Sequence, residues 1–285
     1  MELTVISGKG GTGKTMIAVA LTQLCGNAVI ADCDVDAPNL QLYYKGKDIR
    51  KESFTASHKA VVNERVCTGC GICDEICRFS AIQNHTVDEI NCEGCGACAL
   101  ACPGKAIRLI PKKDADVFLT QTKEGMLSRA VMAVGSDGSG KLITQLRENA
   151  RAFLEDERIM ILDGSPGIGC PVIASTTAAD LALVVTEPSL SGLADLKRVL
   201  ELCEYFGIWA AVCINKYDIN VAVTDQIETH CRDRGIPVVG EIPFDDTVLA
   251  SINALRPITA YPDSAACGAV LRMWEKLKEI IAKIK

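Results

Sequence analysis

The sequence has no run of eighteen apolar residues, so no membrane-spanning helix is expected. It also has no basic patch: the formal net charge is −6, and charged residues are spread along the chain. Proteins that bind nucleic acid phosphates are expected to carry a basic field, so that class is not favoured. Residues 2–6 already have the pattern of a strand, which leaves no room for a signal peptide. These absences predict a cytoplasmic protein without a nucleic acid partner.

Cysteine is the residue in excess, with 15 among 285 residues. Short exported chains use cysteines for disulfides, but this chain is long and has no export signal. Regularly spaced thiols in a reducing compartment are more often metal ligands. Eight of them lie between residues 60 and 110, where the spacing repeats after 25 residues, from Cys67 to Cys92 and from Cys77 to Cys102. This repetition predicts two copies of one small unit.

Outside the cysteine-rich region, short apolar runs alternate with helical patterns. The predicted strands cover residues 3–6, 28–31, 158–162, 181–186, 209–214 and 238–242. Near-continuous apolar strands that alternate with helices predict an α/β fold with a mostly parallel, doubly wound sheet. The pattern resumes near Val117, so the cysteine-rich part is an insertion. We predict one discontinuous domain, 1–58 and 112–285, and a small inserted α+β domain, 59–111.

A glycine-rich loop lies between the first predicted strand and the first predicted helix. Residues 8–15 fit the phosphate-loop motif G-x4-G-K-T in the structural context that it requires. Backbone N–H groups of such a loop and the following helix N-terminus bind phosphate oxygens. Lys14 is predicted to reach the β- and γ-phosphates, and the Thr15 hydroxyl to bind Mg²⁺. The nucleotide-binding residues predicted here are Gly8, Lys9, Gly10, Gly11, Thr12, Gly13, Lys14, Thr15 and Met16.

The two cysteine runs have the spacing C-x2-C-x2-C-x3-C of bacterial ferredoxins. Iron in a cubane cluster prefers four soft thiolate ligands, so the runs predict two 4Fe–4S clusters and a ferredoxin-like insert. The fourth cysteine of each run binds the other cluster. Structural zinc is the alternative, although zinc does not need two such runs in tandem. The predicted ligands are Cys67, Cys70, Cys73 and Cys102 for the first cluster and Cys77, Cys92, Cys95 and Cys98 for the second.

The phosphate loop, with Lys9 directly after its first glycine, resembles the deviant P-loop of MinD/ParA/Mrp-like ATPases, a group related to the nitrogenase iron protein. The resemblance extends over the chain outside the insert. It implies that Lys9 crosses a dimer interface to the partner's nucleotide and that Asp34 orients the attacking water, with Asp36 as a second candidate. The implied catalytic residues are Lys9, Lys14 and Asp34, the implied Mg²⁺ ligands are Thr15, Asp34 and Asp163, and the implied adenine contacts are Asn215, Lys216, Pro243, Phe244 and Asp245.

Cys170 follows Asp163 by seven residues, where the nitrogenase iron protein places a ligand of an intersubunit cluster. The second cysteine that such a cluster needs is replaced by serine in the loop 135–140, so we favour packing near a dimer interface. Packing is also the interpretation of the apolar stripe in the last helix, in preference to a membrane anchor. The same holds for the remaining cysteines, namely Cys25, Cys33, Cys203, Cys213, Cys231 and Cys267.

The resemblance implies an ATP-hydrolysing enzyme, slow and stimulated by a partner, that forms a homodimer or a paralogous heterodimer. Together with the cysteine runs it predicts a nucleotide-switched dimer that couples ATP to electron transfer or redox signalling with a redox or iron–sulfur partner protein. One alternative is an iron–sulfur assembly or carrier ATPase, although the C-terminal C-x-x-C pair of those proteins is missing. The other is a MinD/ParA-like spatial organiser, in which the clusters would be structural or sensing.

Overall fold

The computed structural model describes residues 1–136, 140–155 and 158–284. The chain forms two compact units, and both are discontinuous in sequence. The first consists of residues 1–51, 118–130 and 139–285, and the second of residues 52–117 and 131–138. The second unit contains the whole of the segment 59–111 that the sequence marks as an insertion. The domain boundaries themselves stay a prediction.

The strands, in chain order, are β1 Glu2–Ser7, β2 Ala28–Asp32, β3 Gly46–Phe54, β4 Ser57–Val62, β5 Ile82–Gln83, β6 Thr86–Val87, β7 Ile107–Lys112, β8 Ala115–Thr122, β9 Gly125–Met132, β10 Met160–Pro166, β11 Leu181–Thr186, β12 Trp209–Asn215 and β13 Val238–Ile242. The α-helices are α1 Lys14–Cys25, α2 Leu40–Tyr43, α3 Ile72–Ile76, α4 Ala97–Ala101, α5 Gly140–Arg151, α6 Cys170–Thr176, α7 Leu190–Tyr205, α8 Val221–Asp233, α9 Asp246–Asn253 and α10 Ala265–Ile284.

The first unit is built on one sheet with the strand order β13-β12-β11-β1-β10-β2-β9-β8-β3. The pairings of β1 with β10 and β11, of β2 with β10 and β9, and of β12 with β11 and β13 are all parallel. The predicted α/β fold with a mostly parallel sheet is therefore confirmed. Several strand ends differ from the predicted ones by one or two residues, and the largest difference is at β10. This strand runs past Asp163 to Pro166, because a register shift after Val5 pairs Ser7 with Pro166.

Helices cover both faces of this sheet, and alternate residues of each strand serve the two faces. On β11, Leu183 packs in the core that contains α1 and α10, whereas Val184 packs in the core that contains α7 and α8. This period of two is why the buried strands are apolar throughout. Helix α10 buries its apolar stripe in the first of these cores, so its interpretation as a packed helix is confirmed. Five cysteines outside the insert are buried as expected: Cys33, Cys203, Cys213, Cys231 and Cys267.

The second unit pairs β4 with β7 and β5 with β6, both antiparallel. Helices α3 and α4 each begin after a glycine in the left-handed region, Gly71 at φ 77° and Gly96 at φ 80°. The two helices start 25 residues apart, which is the period of the sequence repeat. A small apolar core joins them to the strands.

The Asp114 side chain connects two turns of the second unit by hydrogen bonds. Its carboxylate accepts hydrogen bonds from the backbone N–H groups of Ala56 (2.6 Å) and Ser57 (2.8 Å) and from the Ser57 hydroxyl. Burial alone would raise the pKa of Asp114, but these donors hold it below its ordinary value. The turn between β3 and β4 is thereby fixed to the turn between β7 and β8.

Among the helices of the described residues, none has both the length and the apolar character that a membrane span requires.

Gly125 provides a test of the sheet geometry. Its φ is 145°, and a Cβ atom there would lie 1.8 Å from the carbonyl oxygen of Ala28 on the paired strand β2. We expect Gly125→Ala to lower the free energy of unfolding by about 2–4 kcal/mol, because the backbone pairing must open. Urea unfolding of the two proteins measures this.

Gly235→Ala is the matched control, since Gly235 also has a positive φ of 66°, but no atom of the described residues lies within 4 Å of the added methyl group. It is expected to cost about 1–2 kcal/mol from backbone strain alone. Equal costs at the two positions would contradict the close approach of β2 and β9.

Candidate functional sites

The glycine-rich loop occupies the predicted position between β1 and α1. Helix α1 begins at Lys14, after Gly13 in the left-handed region at φ 93°. A Cβ atom on Gly13 would lie 2.3 Å from Nδ2 of Asn215, so only glycine fits there. The same Nδ2 atom donates a hydrogen bond to the carbonyl oxygen of Thr12 (2.8 Å). Asn215, predicted to contact adenine, thus braces the phosphate loop from the end of β12.

A cavity of about 650 Å³ opens above the loop, within the size range of small-molecule sites. The phosphate loop from Gly10 to Met16 lines it, and so do Asp34 and Asp36. Ser165 and Pro166 also line it. Several other lining residues were not anticipated from the sequence, since they are apolar or lie far along the chain: Leu42, Tyr43, Pro171, Ile252 and Leu255.

Lys14 lies between two carboxylates. Its Nζ is 2.8 Å from Oδ1 of Asp163 and 3.2 Å from Oδ2 of Asp34. Burial alone would lower the pKa of Lys14, but Asp163 and Asp34 outweigh it and leave the pKa raised. The ammonium group therefore stays charged in a nearly closed environment, where it can bind phosphate oxygens.

The oxygen atoms around Lys14 fit a magnesium ion. Asp163 is 1% exposed, yet its Oδ2 has no hydrogen-bond partner among the described residues. Thr15 and Asp34 line the cavity beside it. Carboxylate and hydroxyl oxygens are ligands that Mg²⁺ prefers, usually with phosphates and waters completing the octahedron. Asp34 and Asp163 thus both contact Lys14, and the unpartnered buried oxygen of Asp163 fits a bound cation.

Asp32 was not identified as a site residue, although it is fully buried at the end of β2. Its Oδ2 accepts a hydrogen bond from the backbone N–H of Leu40 (3.1 Å), and its Oδ1 has no partner within the described parts of the chain. Burial, and next the nearby Asp163, raise the pKa of Asp32 well above its ordinary value. Burial also raises the pKa of Asp34, against the opposing effect of Lys14.

Lys9 is paired within its own chain. Its Nζ lies 2.6 Å from Oε1 of Glu187 and donates hydrogen bonds to the hydroxyls of Ser189 (3.1 Å) and Ser191 (3.2 Å). Lys216 approaches the other oxygen of Glu187 at 3.6 Å. In spite of partial burial, Lys9 and Lys216 hold the pKa of Glu187 below its ordinary value. The pairing of Lys9 with Glu187 and the two serines was not predicted, because these residues are far from Lys9 in sequence.

Asp245, the last of the implied adenine contacts, makes structural contacts within its own chain. Asp245 caps α9 through the N–H of Thr247 (2.8 Å) and accepts from the hydroxyl of Ser264 (2.6 Å) and the N–H of Ala266 (3.1 Å). These donors hold its pKa far below the ordinary value. Phe244 is 56% exposed. Lys216, Pro243, Phe244 and Asp245 do not line the cavity described above, so their adenine contacts stay a prediction.

Two small cavities in the second unit collect the eight clustered cysteines. The last cysteine of each run lies with the first three of the other run. One cavity is lined by Cys67, Cys70, Cys73 and Cys102, and the other by Cys77, Cys92, Cys95 and Cys98.

Backbone amides support the cysteine sulfurs. The N–H of Ala81 donates to Sγ of Cys77 (3.3 Å), and that of Ala106 donates to Sγ of Cys102 (3.3 Å), at equivalent positions of the repeat. Hydrogen bonds to ligand sulfurs accompany iron–sulfur clusters and tune them. Four thiols per cavity with such donors fit a 4Fe–4S cluster in each.

Cys170 is exposed on the chain, at the first residue of α6. Its predicted packing would therefore need a second subunit. The loop 135–140, where serine replaces the second cysteine of a bridging cluster, includes residues 137–139, which lie outside the described residues.

Comparisons with known proteins agree with the nucleotide site. Residues 3–258 match the CobQ/CobB/MinD/ParA nucleotide binding domain. An uncharacterized protein of Methanocaldococcus jannaschii is 33% identical over 99% of this chain and 98% of its own. The iron-sulfur cluster carrier protein of Pyrococcus furiosus is 21% identical over 100% of this chain and 88% of its own. The structure of the septum site-determining protein MinD complexed with Mg-ADP from Pyrococcus horikoshii has the same fold, with a TM-score of 0.60 and 16% identity, covering 100% of this chain and 98% of that one.

The buried carboxyl of Asp32 predicts a pH-dependent stability. A carboxyl whose folded-state pKa is raised stabilises the folded protein at low pH, and this stabilisation is lost as the pH rises through the raised value. We expect Asp32→Asn to increase the free energy of unfolding by about 1–3 kcal/mol at about pH 8. The decrease in the free energy of unfolding between about pH 5 and about pH 8 should also be smaller in the variant than in the unmodified protein. Chemical unfolding without nucleotide or Mg²⁺ measures both.

Asp225→Asn, at an exposed position on α8, removes the same charge as a control and is expected to change neither quantity. A fall in stability between the two pH values as steep in Asp32→Asn as in the unmodified protein would contradict the assignment of this proton to Asp32.

Proposed function

The chain belongs to the CobQ/CobB/MinD/ParA nucleotide-binding family, and on this premise we propose that it is a nucleotide-switched dimer that couples ATP hydrolysis to electron transfer or redox signalling through two 4Fe–4S clusters. Membership supports ATP binding and hydrolysis. The observation that carries the rest is the crossed grouping of the eight cysteines into two sets of four. Because the nucleotide site of the family and the two sets of four thiols lie in one chain, we infer that the nucleotide controls the redox function of the clusters.

In the nucleotide site, the loop N–H groups and Lys14 would bind the phosphates. Thr15, Asp34 and Asp163 would hold Mg²⁺, which neutralises phosphate charge when bound. Asp34 lies 3.2 Å from Lys14 at the cavity wall, so its carboxylate is available to orient a water molecule. Arrival of the phosphates gives Lys14 new anionic partners and releases the carboxylates from it.

Lys9 would act between two subunits. In the isolated chain it is bound to Glu187, and its side chain is 28% exposed. Transfer of Lys9 to the phosphates of a partner's nucleotide exchanges one anionic partner for another. Nucleotide then favours the dimer because it adds a contact that the separate chains lack.

The cysteines of the insert would hold the redox groups. Each set of four thiolates binds one cluster, and a bound 4Fe–4S cluster stores and passes on single electrons. Each cysteine set includes one exposed member, Cys70 in the first and Cys95 in the second. A partner protein could therefore approach either cluster closely at the surface. Dimer formation would change which face of the insert is accessible, and hydrolysis would reverse it.

A carrier function is the second candidate, favoured by the similarity to the Pyrococcus furiosus carrier protein. A carrier must release its cluster, so labile ligands held across a subunit interface would suit it. Here each set of four cysteines lies within one chain, with backbone donors to the sulfurs. This arrangement suits retained clusters better than transferred ones.

The role of Lys9 is tested with Lys9→Ala. We expect the variant to remain monomeric with MgATP and to hydrolyse ATP at least about 100-fold more slowly, because the charge that reaches across the interface is gone. Sedimentation and phosphate release measure these effects. In the unmodified protein, MgATP should change either the midpoint potential of the clusters or the rate at which a partner protein reduces them, both followed by EPR. In Lys9→Ala, MgATP should change neither quantity.

Lys197→Ala removes an exposed lysine from the neighbouring α7 and serves as the control, with dimer formation and hydrolysis retained. An unmodified protein whose cluster reduction is the same with and without MgATP would contradict the coupling, even if it hydrolyses ATP.

The crossed ligand sets are tested by single substitutions. The unmodified protein is expected to contain about eight iron atoms per chain after anaerobic purification. Cys67→Ser and Cys102→Ser should weaken or remove the same EPR signal, whereas Cys92→Ser should affect the other, because the sets cross between the runs. Iron analysis and EPR of the dithionite-reduced proteins measure this.

Cys203→Ala, which removes a buried cysteine outside the insert, is the control for handling losses and should keep both signals and the full iron content. A Cys102→Ser variant that loses the same signal as Cys92→Ser would contradict the crossed assignment. Zinc in place of iron would contradict the redox function altogether.

A further inference from the structure

The internal repeat predicts two equivalent cysteine sites, but the side chains beside them differ. After the first cysteine of each run stands Thr68 in one copy and Glu93 in the other. After the third cysteine stands Asp74 in one copy and Ala99 in the other. The first cavity is also lined by His85, whereas the second is lined by apolar side chains that include Phe79 and Leu109.

His85 is held at the first cavity by a tight turn. The turn between β5 and β6 has Asn84 and His85 in the left-handed region, at φ 49° and 65°. The carboxylate of Asp74 fixes this turn: its Oδ2 accepts from the N–H of Asn84 (2.8 Å) and its Oδ1 from the N–H of His85 (3.5 Å). The backbone strain at His85 is thus supported by the residue next to Cys73.

The imidazole ring faces a cysteine of the predicted ligand set. Nδ1 of His85 is 4.0 Å from Sγ of Cys73 and 4.0 Å from Oδ1 of Asp74, and that oxygen is 3.4 Å from the same sulfur. A thiolate and a carboxylate are both acceptors, so the ring hydrogen belongs on Nδ1. Cys73 is also buried, which strengthens the effect of a nearby dipole.

We propose that His85, positioned by Asp74, directs its ring N–H at the Cys73 sulfur and raises the reduction potential of the first 4Fe–4S site, so that the two sites of the repeat are inequivalent. Reduction adds negative charge to the iron and its thiolates, and an N–H donor at a ligand sulfur stabilises the more negative form. The second cavity has no ring N–H among its described lining residues. This inference rests on the proposed cluster function.

The test compares His85→Leu with His85→Gln. Both variants place a non-glycine residue of similar size at the same positive φ, so the strain of the turn is matched, but only glutamine keeps an N–H donor. In EPR-monitored potentiometry with dithionite, His85→Leu is expected to lower the reduced-to-oxidised ratio of the first site about tenfold at a fixed potential, or about 59 mV for one electron. His85→Gln should recover part of that shift. The first site is identified as the signal that Cys67→Ser alters.

Phe79→Leu, in the lining of the second cavity, is the matched control and should leave the first signal unchanged. Equal shifts of both signals in His85→Leu, or no shift in either, would overturn the role of His85 while leaving the two-cluster function intact. Equal shifts in His85→Leu and His85→Gln would overturn the N–H contact in favour of a purely structural effect. A protein with fewer than two clusters by iron analysis would overturn this inference and the proposed function together.

Discussion

The ion pairs of Lys14 with Asp163 and Asp34 are the interaction on which the nucleotide site depends. Lys14 starts α1 after β1, Asp163 lies on β10, and Asp34 follows β2. These three strands are neighbours in the centre of the sheet, so the strand order itself brings the charges together. A buried charge left without its partner costs about 3–5 kcal/mol, so a ligand that separates Lys14 from the carboxylates must supply both a new anion and a new cation. A nucleotide phosphate with Mg²⁺ supplies the two at once, which explains why the site suits that pair of ligands.

Arg129 ties the wall of this site to the sheet edge. Its guanidinium donates to Oε1 of Gln41 (2.8 Å) on α2 and to both carboxylate oxygens of Asp48 (3.0 and 3.1 Å) on β3, and it stacks 4.3 Å from the ring of Phe118 on β8. Helix α2 supplies Leu42 and Tyr43 to the cavity. The strands β3, β8 and β9 all continue into the second unit. Within the first unit, Arg129 thus bonds helix α2, a lining element of the nucleotide cavity, to strand β3.

The parts of the molecule that could be predicted are those encoded by short, fixed spacings. The phosphate loop and the cysteine runs each need particular residues within about a dozen positions, so their places were evident from the sequence. Contacts between distant residues were not: Asn215 braces Thr12 from 203 positions away, and Lys9 binds Glu187. The end of β10 was misplaced because its extension to Pro166 depends on the pairing with Ser7. His85 was missed since its role depends on a two-residue turn that brings it to Cys73, and no spacing rule describes that approach.

The two P-loop lysines differ in how tightly the isolated chain holds them, and this difference suits a switch. Lys14 is 6% exposed and Asp163 1%, whereas Lys9 and Glu187 are 28% and 24% exposed. A partly exposed pair contributes at most about 1 kcal/mol, so Lys9 can leave Glu187 at little cost when a second subunit brings a phosphate. Lys14 cannot leave its carboxylates without a ligand in the cavity. In the proposed function, nucleotide binding in one chain would therefore depend on Lys14, and association of two loaded chains would depend on Lys9. A switch built in this order would respond to nucleotide first and to a second subunit afterwards, which is the order of events that the proposed coupling requires.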